Sequence, residues 1–278
     1  MKKWLTLLLS AILVLALAAC GNNDEENAGD DKENKSLVVG ATNEPHGMIL
    51  EKVKPILKEQ GIDLEVKVFS KYELINPALE DGSLDANYFQ HIPYLDAQNK
   101  EFGYDFVNAG GIHIEPIGVY SQKYKSLEEL PEGATVILSN SIPDHGRILT
   151  LLEKNGLIKL KEGVDKITAT FDDIAENPKN IKFDYDYAPD LLPRIYNNNE
   201  GDAVIINSNY AIDAGLNPVE DNIAIEDADS PYVNVIAVKK GDENKEEIKA
   251  LVKALQLQEI KDYILETWDG AVVPVDGE

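Results

Sequence analysis

The chain has 278 residues, of which 26 are basic and 50 acidic, for a net charge of −24. Binding to nucleic acid needs a basic footprint, so this balance excludes nucleic acid as a partner, and anionic lipid will not hold the surface either. The one cysteine, Cys20, excludes a disulfide framework and a thiolate metal cluster. The length suits one large or two modest domains.

The chain opens with "MKKWLTLLLSAILVLALAAC". Lys2 and Lys3, an apolar run and then small residues predict a signal peptide over residues 1–19. A membrane-spanning helix needs about 20 apolar residues, and this run ends early. Leu17-Ala18-Ala19-Cys20 resembles a bacterial lipobox. That resemblance implies removal of residues 1–19 and lipid, palmitate included, on Cys20. One acyl chain anchors only marginally, and a bacterial lipoprotein carries several. Loss of Lys2 and Lys3 moves the charge of the mature chain to about −26. Residues 21–36, "GNNDEENAGDDKENKS", have no aromatic residue and only Ala28 as an apolar one. Such a segment cannot offset its ordering entropy and reads, with Cys20, as a flexible acidic tether.

Strand and helix then alternate. "SLVVGAT" (36–42) is a short apolar strand. "NEPHGMILEKVKPILKEQG" predicts a helix with Ile49, Leu50, Val53, Ile56 and Leu57 on one face and Gly61 as its stop. "IDLEVKVF" alternates as a strand. "ELINPALEDG" reads as a short helix closed by Gly82, and "YLDAQNKEFG" as another. "IHIEPIGVYS" and "ATVILS" read as strands, "PDHGRILTLLEKNG" as a helix bounded by Pro143 and Gly156, and "DAVIINS" and "VNVIAVKK" as strands. Asn244 to Trp268 reads as helical. The alternation predicts an α/β architecture with mainly parallel sheets, whose ligands sit where strands end and helices begin.

His46, His91, His113 and His145 are far apart, with no tight acidic calcium loop, so the spacing predicts no metal. No Gly-rich loop precedes a Lys-Ser or Lys-Thr pair, and no Gly-x-Ser-x-Gly elbow occurs, so neither a nucleotide cofactor nor an enzyme is expected. With fifty carboxylates, an acid pair carries almost no information. The arginines carry more. There are two, Arg147 and Arg194. A guanidinium grips a carboxylate with two parallel hydrogen bonds in a way lysine cannot. Arg147 falls near the first turn of the helix beginning around Pro143, where the dipole and free N–H groups favour an anion. It is the candidate for a ligand carboxylate, level with an ordinary ion pair. Arg194 reads as a surface-helix residue paired with acids.

The motifs "GATNEPHGMILEKVKPILKEQGIDLEVKVF", "YFQHIPYL", "IHIEPIGVYS", "GLIKLKEGV", "ENPKNIKF", "VIINSNYA" and "SPYVNVIAVKK" follow one another in the order seen in the methionine-binding lipoproteins. From about residue 37 to near the C-terminus the chain resembles that family, the substrate-binding subunits of methionine ABC importers. The resemblance implies a type II periplasmic-binding-protein fold, two α/β lobes with a ligand cleft between them. It implies one lobe over residues 37–118 plus 231–278 and the other over 119–230. It further implies that Tyr72, Phe89, His91 and Tyr94 line a side-chain pocket, that Arg147 holds the carboxylate, and that Asn207 and Asn234 position the polar end. A soft thioether packs well against rings, and asparagine offers both donor and acceptor. No cofactor is implied. The implied partners are methionine, an ABC permease with its ATPase, and a membrane held through lipid on Cys20, on the outer leaflet of a Gram-positive cell.

The chain departs from the family pattern at one point. The run Asn140-Ser141-Ile142-Pro143-Asp144-His145-Gly146-Arg147 keeps the arginine. Ser141 stands where the family carries an acid and Asp144 where it carries an asparagine. Asp144 brings negative charge to the proposed clamp, where it either competes for Arg147 or favours a ligand ammonium. His113 and Asp144 are therefore candidates for tuning the ligand. L-methionine, D-methionine, a dipeptide such as Gly-Met and another amino acid stay open, as does a surface interaction lipoprotein of the same fold.

Overall fold

The computed structural model describes residues 35–276. The leader, Cys20 and the tether up to residue 34 lie outside the described residues. The first strand, β1 (Lys35–Ala41), begins two residues inside the stretch read as tether, because Lys35 N–H already bonds to the Gly61 carbonyl.

In chain order follow α1 (Met48–Glu59), β2 (Ile62–Val68), α2 (Ile75–Glu80), β3 (Ala86–His91), α3 (Ile92–Phe102), β4 (Phe106–Ile114), β5 (Gly118–Tyr120), β6 (Thr135–Ser139) and α4 (Ile142–Lys154). Then come β7 (Lys159–Leu160), β8 (Ile174–Glu176), β9 (Lys182–Tyr187), α5 (Leu192–Asn197), β10 (Ala203–Ile206), α6 (Ser208–Asp213), β11 (Asn222–Ile225), β12 (Val233–Lys239), α7 (Glu246–Leu255), α8 (Gln258–Trp268) and β13 (Val273–Pro274).

The strands form a six-stranded sheet, β13-β4-β12-β3-β1-β2, and a five-stranded sheet, β11-β5-β10-β6-β9, with β7-β8 as a separate pair. Each large sheet has its own core. In the first, Leu37 and Val39 of β1 meet Leu50, Val53 and Leu57 of α1 and Leu251 of α7. In the second, Val136 and Leu138 of β6 meet Ile148, Leu149 and Leu152 of α4. The period-3.6 stripe of α1 and the short apolar strands thus bury the faces their patterns predict.

The sheets are mixed rather than mainly parallel. β1 runs parallel to β2 and β3, and β6 to β9 and β10, but β12 is antiparallel to β3 and β4, and β5 to β10 and β11. The reason is topological. The chain passes between the sheets at Glu115-Pro116-Ile117 and returns over residues 226–232. Strands β3 and β10 end on the side where these crossings occur, so β12 and β5, which start there, must run the opposite way.

Three further readings are corrected. The helix expected from Asn43 begins at Met48, because Glu44 precedes Pro45 and is extended (φ −113°, ψ 142°). "IHIEPIGVYS" is two strands broken at Pro116. The C-terminal block is two helices, since extended Leu257 (φ −61°, ψ 144°) restarts the chain so that Ile248 and Ile260 reach one core.

Candidate functional site

The stretch "YFQHIPYL" is the end of β3 running straight into α3. His91 is the helix N-cap, and its Nδ1 accepts a hydrogen bond from Tyr94 N–H at 3.1 Å. That cap satisfies one of the free N–H groups of the first turn. Pro93, in the first turn, has its fixed φ where a helix tolerates it. Strand alternation and the cap together turn Phe89, His91 and Tyr94 to one cavity.

Between these side chains lies about 370 Å³ of space not filled by protein atoms, open solvent included. One wall carries the rings Tyr72, Phe89, His91 and Tyr94, with Asn234 of β12 beside them. These belong to the six-stranded sheet and its helices. The opposite wall carries Asp144 and Arg147 of α4 and Asn207 and Asn209 at α6. Glu115 stands on the crossing segment between the two. All seven residues expected to bind ligand, Tyr72, Phe89, His91, Tyr94, Arg147, Asn207 and Asn234, line this one cavity, and so does Asp144. The ring wall is internally braced. Tyr72 lies 5.8 Å from Phe89 and 6.1 Å from Tyr94, centroid to centroid, and Phe89 lies 5.8 Å from Tyr94 in an edge arrangement.

The charged wall is already paired. Arg147 Nη2 donates to Asp144 at 2.5 Å, and Nη1 donates to the Glu115 carbonyl at 3.4 Å and to Glu226 at 3.5 Å. Asn207 Nδ2 donates to the other Asp144 oxygen at 3.3 Å. His91 Nε2 meets Asp144 Oδ1 at 3.0 Å, and Tyr72 OH donates to Asn209 at 2.5 Å, so two bonds tie the opposed walls together. Burial works against ionisation of Asp144, but Arg147 and His91 outweigh it and hold the carboxyl well below the usual range. Burial likewise opposes the charge on Arg147, and Asp144 and Glu226 raise its pKa above the ordinary value. Burial lowers His91 below its ordinary value, despite Asp144, so it faces the cavity as a neutral imidazole at pH 7.

His113 does not line the cavity. It is fully buried behind Glu115 and bonds to it through Nε2 at 2.7 Å. His46 Nε2 lies 3.1 Å from both Glu115 Oε1 and Asn234 Oδ1. Thr42 and Tyr88 hydroxyls meet the two Nδ1 atoms. Both imidazoles therefore carry their proton on Nε2 and donate it forward to the cavity's acceptors. His46, His113 and Glu115 converge with ligand atoms within 4.8 Å of one another, a set that could hold a metal ion and that linear spacing did not foretell. Burial lowers His46 to about 4, partly offset by Glu115, and His113 to about 3. Burial raises Glu115.

Glu115, Ser208 and Asn209 were not singled out in the sequence. Among fifty carboxylates Glu115 has no compositional mark, and its only signal is a place between two apolar strands beside Pro116. Arg194 is exposed on α5 and forms no ion pair among the described residues, contrary to expectation; the acid one turn before it, Asp190, lies 3.8 Å from Lys71 instead.

The two histidines predict a pH dependence. Their folded pKa values lie below the unfolded value near 6.5, so the unfolded chain binds the extra protons. Their contribution to stability is complete above about pH 6.5 and is lost as pH falls from there toward about 4 for His46 and about 3 for His113. Glu115, raised by burial, works in the opposite direction, so with two histidines against one carboxyl urea midpoints measured from pH 7 to pH 5 should fall, and His113→Gln should flatten the decline. An equal decline in the variant would show that other groups carry it.

Two α/β sheets, two crossings and a cavity walled by rings on one side and charges on the other define a two-lobed substrate-binding fold. The chain belongs to the NlpA lipoprotein family, whose pattern it matches over residues 37–276. It is 49% identical over 280 residues to the methionine-binding lipoprotein MetQ of Bacillus subtilis (strain 168), covering 99% of each chain. Its fold matches that of a pheromone cOB1 precursor/lipoprotein of the YaeC family from Enterococcus faecalis V583, with a TM-score of 0.85, 55% identity, and coverage of 87% of this chain and 100% of that one. It also matches a nutrient-binding protein from Burkholderia cenocepacia bound to methionine, with a TM-score of 0.81, 43% identity, and coverage of 86% of this chain and 100% of that one.

Proposed function

We propose that the chain is an extracytoplasmic, lipid-anchored receptor that binds methionine between two lobes and delivers it to an ABC permease and its ATPase. The observation that carries this reading is the division of one cavity into a ring wall and a charged wall. Tyr72, Phe89, His91 and Tyr94 take the thioether, which is soft and favours aromatic contact. Glu115, Asp144 and Asn207 Oδ1 offer acceptors to an ammonium. Arg147 Nε and Asn209 Nδ2, both buried without partners, offer donors to the carboxyl end. Asn234 holds the floor through His46. The names of the relatives support the ligand, and the cavity supports the mode of binding.

The lobes are residues 37–118 with 231–278, and 119–230. Ligand closes them by hinge motion at the two crossings. Lipid on Cys20 tethers the protein to the outer leaflet of the cell membrane, and no helix among the described residues is long and apolar enough to cross it. The role is binding, without catalysis.

The test is a thermal-shift panel on the mature protein in detergent, unfolded and refolded to strip bound ligand. Ligand that binds only the native state stabilises it by about 2.7 kcal/mol at a hundredfold excess over Kd. L-methionine or D-methionine is expected to raise Tm by several degrees, with Gly-Met included in the panel. No shift with any of the three would sink the reading.

A further inference from the structure

Helix α6 is six residues long, and its beginning serves the cavity through Asn207 and Asn209. Its later residues, Tyr210, Ile212 and Asp213, do not line the cavity and instead touch the opposite lobe. Tyr210 OH donates to the Ser70 carbonyl at 3.3 Å, and its ring lies 4.8 Å from that of Tyr72, centroid to centroid. Ile212 packs against the core of the six-stranded sheet, although α6 follows a strand of the five-stranded one. Asp213 accepts a hydrogen bond from Asn43 Nδ2 at 2.9 Å. With Asn209, which accepts from Tyr72 OH, four residues of this one short helix grip the other lobe.

Where these contacts fall decides what they do. The crossings join β4 to β5 and β11 to β12. In the first sheet β2 is the edge strand beyond β12, β3 and β1, and in the second β9 is the edge strand farthest from β5 and β11. Ser70 and Tyr72 follow β2, and Asn43 follows β1 beside it, so α6 meets the first lobe away from the crossings. Lys71, after β2, and Asp190, after β9, approach to 3.8 Å at the same lip. A contact at a hinge survives opening, whereas a contact across the lip must break. Asp213 forms no ion pair among the described residues, and an acid in the last turn of a helix is unfavourable to that helix. Its favourable bond is the one across the lip.

From this arrangement we infer that α6 is a clasp, in which Tyr210 and Asp213 hold the closed lobes together and set how long the ligand stays bound without touching it. The inference rests on the methionine-receptor reading and specifies which residues outside the cavity that receptor uses to retain its ligand. Ligand enters only while the lip is open, so closure follows binding. The clasp bonds then add to the ligand's own contacts, and apparent affinity tracks the fraction of bound protein that is closed. Loss of a clasp bond leaves encounter unchanged and speeds release.

The experiment uses the stripped mature protein, with whichever of L- and D-methionine binds the wild type more tightly as the probe. Calorimetry gives Kd, and release of radiolabelled probe during a chase with unlabelled methionine gives the dissociation rate. Tyr210→Phe keeps the ring in the core it shares with Leu192 and Ile206 and removes only the hydroxyl, and Asp213→Ala removes an exposed carboxylate. Tyr210→Phe should raise Kd about fivefold, and Asp213→Ala, whose bond is solvated, about threefold. The double variant should lose about fifteenfold, because the two bonds reach different parts of the first lobe. Its dissociation rate should rise by the same factor, with association within about twofold of wild type. Urea midpoints of the ligand-free variants should match that of the wild type, since the open protein does not make these bonds. The clasp is overturned if the double variant keeps the wild-type Kd and release rate, if the loss appears in association, or if ligand-free stability falls in step with affinity, which would mark both residues as structural. Absence of binding to the wild type by either form of methionine overturns the receptor reading instead, and the clasp with it.

Discussion

Arg147→Ala is expected to cost the fold about 3–5 kcal/mol, because removal of one partner from a buried ionic cluster strands the other. Asp144 is 1% exposed and Arg147 5%. Alanine would leave Asp144 with only His91 and Asn207 and would leave Glu226 with Ser230 and the Ile117 N–H. It would also remove the guanidinium that lies 5.0 Å from the Tyr232 ring. Neutralising the stranded acid in the same chain, as Asp144→Asn with Arg147→Ala, should recover about half of the loss, since the uncompensated carboxylate is its main source. Arg147→Lys keeps a charge but not the planar fork and should fall between wild type and alanine. Urea unfolding of the four proteins at pH 7 gives the cycle. A loss below about 1 kcal/mol for Arg147→Ala would mean that water entering the cleft rehydrates Asp144 and that the cluster is not effectively buried.

This cluster marks where the sequence stopped being legible. The rings could be read because Phe89, His91 and Tyr94 come from one strand-to-helix junction, and a junction is local. Arg147 could be read because arginine is rare in this chain. Asn207 and Asn234 came only with the family resemblance, since a lone asparagine has no local signature. The partners that decide the electrostatics could not be read at all. Asp144 and Arg147 are one helical turn apart, but Glu226 lies far along the chain and reaches them only through the second crossing. His46, His113 and Glu115 converge because β4 ends beside the turn that precedes α1, a tertiary fact. The antiparallel return of β12 has the same origin. Strand pattern fixes which residues point inward, whereas strand direction depends on the edge from which the chain re-enters the sheet.

The same dependence on tertiary approach predicts the outcome of a change that looks favourable on local grounds. Gly146 sits inside α4 between His145 and Arg147, and glycine in a helix interior is about 1 kcal/mol worse than alanine. Gly146→Ala should nevertheless destabilise the protein. A Cβ at this position would lie 2.3 Å from the Lys166 carbonyl oxygen, 2.5 Å from that of Ile167 and 2.8 Å from the Ile167 carbonyl carbon. All three are backbone atoms, so no rotamer change relieves the contact, and either the 166–167 loop or the first turn of α4 must move. Overpacking of this kind costs about 1–3 kcal/mol, and occasionally more, against a gain of about 1 kcal/mol in helix propensity, so a net loss of about 1 kcal/mol is expected. The consequence for binding is larger than the stability figure suggests. Asp144 and Arg147 ride on the displaced turn, and a binding constellation must be held to within about 0.5 Å to work. Affinity for methionine should fall at least tenfold. Stability and affinity equal to wild type would show that the loop yields freely and that α4 is not positioned by it. Alanine at Gly156, where a Cβ meets nothing within 4 Å but φ is +71°, provides the control, since its cost is backbone strain away from the pocket and should leave affinity unchanged.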